Sequence, residues 1–151
     1  MSNDQFANLL KELEVFFKCP LAPDSTNCCL VQMPTGLKIQ ISQDRTKEHF
    51  CIAARIGEVP THGKYREQLF RAALTANGIL PQDAGVVAFS DKSNNLILFI
   101  KLPMKGISAD KAIPSIELFI ANATKWIIAM QHSEVPTFEA KEGPKAGPFG
   151  M

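Results

Sequence analysis

The stretch Leu37-Lys38-Ile39-Gln40-Ile41-Ser42 alternates apolar and polar residues without a break. Successive side chains of a β-strand point to opposite faces, so this hexapeptide has one dry face and one wet one. A strand half-buried in this way suits an antiparallel sheet with helices on one side only. That requirement organises the rest of the chain. A partner strand is expected over 27–33, after the polar Asp24-Ser25-Thr26, with Pro34-Thr35-Gly36 as the turn between the two. Beyond a polar turn at Asp44 to Lys47, a third strand is expected over 49–56, closed by Gly57 and Pro60. Two more, over 84–90 and 95–102, flank Asp91-Lys92-Ser93-Asn94, a run of turn formers that reads as a hairpin.

Three segments carry the helical period instead. Over 4–18, Phe6, Leu9, Leu10, Leu13 and Phe17 stack on one face, with Ser2 and Asp4 as competing caps and Pro20 and Pro23 as stops. Val15 and Phe16 lie off that stripe, so the helix is apolar on more than one side and hints at contact beyond its own domain. A second helix is expected over 64–77, ended by Gly78 with Pro81 just beyond. Tyr65, Leu69, Ala73 and Ala76 form its main stripe, and Phe70, Leu74 and Asn77 a neighbouring one. The third is expected to start near Pro114, a residue suited to a first turn. Ile113, Ile116, Ile120, Ala123, Ile127 and Met130 recur along it at spacings of three and four, widened by Phe119 and Trp126. From Ser133 onward order is expected to fade, because the Gly- and Pro-rich end cannot bury enough surface to offset its ordering entropy. The order α-β-β-β-α-β-β-α thus predicts one α+β domain over 1–136, a twisted antiparallel sheet packed by helices, and a flexible tail over 137–151.

The chain has 151 residues, 46% of them hydrophobic, and a net charge of +1. Near-neutrality gives no electrostatic reason to expect nucleic acid or an anionic membrane as a partner. Arg45-Thr46-Lys47 and Lys64-Tyr65-Arg66 are short and interleaved with Asp44, Glu48 and Glu67, as on a solvated face. No apolar run approaches a membrane span, and the N-terminus lacks the basic and apolar regions of a signal peptide, which places the chain in the cytosol. The four cysteines, Cys19, Cys28, Cys29 and Cys51, form no C-x-x-C pair, and His49, His62 and His132 stand at no ligand spacing. Free thiols, no metal and no cofactor are therefore expected. The glycine-rich and nucleophile motifs of common enzyme classes are missing. His49 and Cys51 share a strand face, and a Cys/His nucleophile pair there is weighed against an incidental cysteine beside a surface histidine.

Particular segments, in their order, resemble the class I type III secretion chaperones, the Tir chaperone (CesT-like) family. They are Phe6-x-x-Leu9-Leu10-x-x-Leu13; Pro20-Leu21-Ala22-Pro23-Asp24-Ser25-Thr26-Asn27-x-Cys29; Gly57-Glu58-Val59-Pro60; Tyr65-Arg66-Glu67-Gln68-Leu69-Phe70-Arg71-Ala72-Ala73-Leu74-Thr75-Ala76-Asn77-Gly78; Ser93-Asn94-Asn95-Leu96; and Trp126. They most resemble the chlamydial SycE-like members. The resemblance spans about residues 4 to 136 and implies a bacterial cytoplasmic protein with no catalytic activity. It further implies a homodimer, or a heterodimer with a related chaperone, that holds the N-terminal region of a secreted effector or gatekeeper protein. Carried onto this chain, the dimer contact falls on Leu69, Phe70, Ala73, Leu74, Val86, Val87 and Phe89. Cargo contact falls on Phe6, Leu10, Leu13, Phe17, Val31, Ile39 and Ile41, and cargo can add a strand to a sheet edge. On this reading Phe6→Asp or Leu10→Asp is expected to spare folding and abolish capture. Many family members are distinctly acidic, and this chain departs from them in its near-neutral charge. Two other readings stand beside this one: a regulatory module of the same fold that sequesters a partner protein, and a small-molecule enzyme or ligand-binding protein using His49, Cys51 and a pocket under the first helix.

Overall fold

A computed structural model describes residues 2–138. Helix α1 (Ser2–Phe17) leads into strands β1 (Cys28–Gln32), β2 (Lys38–Gln43) and β3 (His49–Glu58), followed by α2 (Lys64–Ile79). A 3-10 turn (Gln82–Ala84) precedes β4 (Val86–Ser90) and β5 (Asn95–Pro103), and α3 (Ala109–Gln131) closes the order. The α+β fold and its order of elements match the sequence expectation. One antiparallel sheet has the strand order β1-β2-β3-β5-β4. Because β3 and β4 both run antiparallel to β5, they are parallel to each other, and α2 is the crossover between them.

The alternation that identified β2 sets the face of every strand. Cys29, Ile41, Ile52 and Ile100 lie opposite one another across four strands, and all four are buried. Val31, Ile39, Phe50, Ala54 and Leu98 extend this dry face. It is covered by Phe6, Leu9, Leu10 and Leu13 of α1 and by Ile116, Phe119, Ala123 and Trp126 of α3, all within one core cluster. At the β1–β2 turn Gly36 has φ +93, a left-handed conformation that costs glycine nothing.

Three boundaries differ from expectation. Gly78 does not end α2. The helix runs on to Ile79 and stops because Pro81 drives Leu80 into extended backbone (φ −89, ψ 150). Helix α3 starts five residues before Pro114, where Ser108 caps it by accepting from the Lys111 N–H. Pro114 is then the sixth helical residue, past the first turn, and its missing N–H takes away the i−4 bond that the Asp110 carbonyl would otherwise accept. Order also persists beyond Ser133. Pro136 is buried, Phe138 lies 5.8 Å from the Trp126 ring, and the Tyr65 hydroxyl donates to the Glu134 carbonyl at 2.8 Å. The rest of the expected tail, 139–151, lies outside the described residues.

Candidate protein-binding surfaces

The two edges of the sheet are finished differently. At β4, α2 packs over the strand, and the Asn77 side chain reaches the main chain of Val87 twice. Its Nδ2 donates to the Val87 carbonyl at 3.0 Å, and the Val87 N–H donates to its Oδ1 at 2.9 Å. A carboxamide matches a peptide group in donor and acceptor, so Asn77 takes the place a neighbouring strand would occupy. Beside this seal, Phe70 and Phe89 meet edge to face at 5.1 Å, and the Arg66 guanidinium lies 4.8 and 5.3 Å from the two rings. Arg66 is held there by its Nη1, which donates to the Pro60 carbonyl at 2.9 Å and to Asn94 Oδ1 at 3.4 Å.

The expected dimer residues largely converge at this place. Leu69, Ala73 and Val87 are buried where α2 packs against β4. Phe70, Leu74 and Phe89 border an open groove with Asn77 and Ala88, and Leu74 is 73% exposed. Val86 points the other way, onto the uncovered face of the sheet, where it lies opposite Phe99.

Among the described residues the edge at β1 is open. The Met33–Leu37 and Asn27–Gln43 main-chain bonds set the ladder so that alternate residues of β1 turn away from β2. Cys28 is one of these, and the loop before it caps it. The Asp24 N–H donates to the Cys28 carbonyl at 2.9 Å, and the Cys28 N–H donates to Asp24 Oδ1 at 3.1 Å. The Thr26 hydroxyl, with the N–H groups of Thr26 and Cys28, holds the Asp24 carboxyl below its ordinary value. Leu30 and Gln32 carry the outward main-chain groups that remain, and the Leu30 side chain is 77% exposed.

The cargo stripe expected on α1 and the sheet is corrected by its burial. Phe6, Leu10, Leu13, Phe17, Val31, Ile39 and Ile41 are each at most 8% exposed and together form the interior. A one-sided sheet needs a cover, and α1 supplies it with the very stripe that was expected to face a partner. The apolar excess of α1 stands elsewhere, at Val15, which is 81% exposed, and at half-buried Phe16. Leu30 was missed because alternation places it on the wet face, where an apolar residue is the signal to look for.

His49 and Cys51 do not act on each other. His49 Nδ1 lies 3.0 Å from Asp44 Oδ2, and Asp44 Oδ1 accepts from the Thr46 hydroxyl and the N–H groups of Glu48 and His49. Burial pushes the Cys51 thiol up, against the nearby Lys101 ammonium. A thiol held protonated is a poor nucleophile. The Cys28 and Cys29 thiols are pushed up by burial as well. Among the described residues no metal-holding group of His, Cys, Asp and Glu is gathered, and no helix is long and apolar enough to cross a membrane.

The model of the Tir chaperone protein (CesT) family matches residues 8–127. Direct sequence comparison with curated proteins finds no match. Among solved structures, the fold is similar to a chain of the HopA1-SchA chaperone-effector complex, with a TM-score of 0.67 and 17% identity over 85% of this chain and 98% of that one. A chain of the ExsC-ExsE complex matches with a TM-score of 0.68 and 11% identity, over 85% and 94%. A chain from the Yersinia pestis type III secretion chaperone SycH in complex with a stable fragment of YscM2 matches with a TM-score of 0.61 and 15% identity, over 79% and 97%. At such identities the likeness is one of fold.

Proposed function

The chain belongs to the Tir chaperone protein (CesT) family, and we propose that it is a type III secretion chaperone that binds the N-terminal region of a secreted effector or gatekeeper protein. The observation that carries the mechanism is the asymmetry of the two sheet edges. The β4 edge is sealed by Asn77 and bordered by an apolar groove, which suits a second copy or a related chaperone. The β1 edge offers the main-chain groups of Leu30 and Gln32 beside an exposed leucine, which suits an extended segment of cargo. Main-chain pairing gives affinity with little demand on cargo sequence, and side-chain pockets set the register. An unfolded cargo segment loses entropy when it docks, so apolar contacts with Leu30 and Val15 must return ~25 cal/mol per Å² buried. Two protomers joined through α2 and β4 present two such edges to one long segment, which raises avidity. Leu69, Ala73 and Val87 shape the dimer contact from within, and Phe70, Leu74 and Phe89 meet the partner. The protein works in the bacterial cytosol by binding alone.

Expression beside the secreted proteins of its own cell, followed by affinity capture and mass spectrometry, tests the proposal. The expected result is a stoichiometric complex with an N-terminal segment of one secreted protein, which the Leu30→Pro variant fails to form. Light scattering is expected to show a dimer that Leu74→Asp converts to monomers. A wild-type chain that is monomeric at micromolar concentration and captures no secreted protein would refute the reading.

A further inference from the structure

Among the described residues no helix covers the face of the sheet turned away from α1 and α3, and its side chains are arranged as a trough. Leu30, Gln40, Ala53, Phe99 and Val86 lie opposite one another in a row across all five strands. Ala53 on the central strand is the smallest of them. With larger side chains on either side, it becomes the floor of a groove bordered by Leu30, Lys38, Gln40, Arg55 and Ile97. The floor is apolar and the ends are cationic. Lys38 and Arg55 border the groove at one end, and Lys101, opposite Cys51, lies beyond Ala53 in the other direction on the same face of the sheet. From Cys51 to Arg55 the strand advances about 13 Å. Among the described residues the ion pairs are His49–Asp44 and Arg71–Glu67, so none of these three cations has a described carboxylate at ion-pair distance, although Asp44 acts on Cys51 together with Lys101. Arg55 is oriented by its Nε, which donates to Asn95 Oδ1 at 2.7 Å.

We infer that this trough binds an acidic amphipathic helix of the cargo, its apolar side chains over Ala53 and its carboxylates toward Lys38 and Arg55 at one end and Lys101 at the other. The inference rests on the chaperone reading and adds to it a second, chemically distinct contact. The conformation follows from the backbone. On the face of a sheet the main-chain groups are already spent in the ladder, so a docked segment must satisfy its own, as a helix does. An extended segment finds free partners only at the β1 edge. Nine helical residues span about 13 Å, so two or three turns place carboxylates over both cationic ends.

Two fluorescent amphipathic peptides of about 18 residues test it, identical in their leucines and carrying glutamate or lysine on the flanks. Anisotropy with the full chain is expected to show the glutamate peptide binding roughly tenfold tighter in ~50 mM salt, with the margin shrinking in ~500 mM. Lys38→Glu combined with Lys101→Glu is expected to reverse the preference. Ala53→Trp is expected to abolish binding of the glutamate peptide at an unchanged unfolding midpoint. Equal affinity for the two peptides, no binding of either, or indifference to the charge reversal overturns the inference. Should Ala53→Trp fail to fold, the charge-reversed variant decides alone, since both lysines are exposed. A chain that captures a secreted protein but ignores peptide charge loses the trough and keeps the chaperone reading. One that binds the glutamate peptide but captures no secreted protein does the reverse.

Discussion

Replacing Asn77 by alanine removes both hydrogen bonds that α2 makes to the main chain of Val87. Each such bond contributes about 1 kcal/mol net of competition with water. Asn77 itself is exposed, so water can reach the freed groups, and the larger penalty of a fully buried unpaired peptide does not apply. Alanine also favours the helix over asparagine by about 0.6 kcal/mol, which offsets part of the loss. The expected cost is therefore ~1.5 kcal/mol, or about 5 °C in Tm for a chain of this length. Urea denaturation at fixed protein concentration measures the energy, the concentration being held because association also stabilises. Amide exchange at Val87 reports the place. Asn77→Ala should expose that amide, whereas Asn77→Asp, which keeps the acceptor, should leave it protected and still lose stability. If Asn77→Ala is as stable as the wild type and Val87 stays protected, the sealed-edge account of β4 is wrong.

Three further outcomes follow from the same structure. Leu10→Asp, at a position 1% exposed, is expected to prevent folding, and Leu10→Ala to cost roughly 2–5 kcal/mol in a denaturation curve; a folded aspartate variant would return α1 to the surface. Leu30→Pro is expected to keep the β1–β2 ladder, since the lost N–H faces outward, while blocking strand addition; circular dichroism and cargo capture separate the two effects. Asp24 has a folded pKa below its ordinary value, so its capping of β1 is present above the ordinary carboxylate range and is lost as pH falls through the depressed value. The Thr26 amide resonance should therefore titrate with a midpoint below 3.8, and a midpoint at or above 3.8 would remove Asp24 as the cap.

Strand and helix periods were legible because each is a local property. Leu37, Ile39 and Ile41 face inward, and Leu69, Ala73 and Ala76 share one buried face of α2, as their spacing requires. The α2–β4 surface was legible only through the family resemblance, and Val86 shows its limit, since pleating turns that residue to the other face. Helix ends were less secure. Gly78 and Pro114 are both residues that can end or begin a helix, but Pro81 and the Ser108 cap decided the matter from a few residues away.

By itself the sequence determined the order of elements and which side of each is dry, because side-chain period and turn chemistry act over a few residues. What covers each dry side was settled only in three dimensions. The stripe of α1 became core because the sheet had one dry face to cover, and the stripe joins Cys29, Val31 and Ile39 in one cluster. Phe138 was held because Trp126, twelve residues earlier on α3, presented a ring to it. The open β1 edge, the sealed β4 edge and the cationic trough depend on strand order and register. Those arise from contacts between distant residues, which no local period encodes.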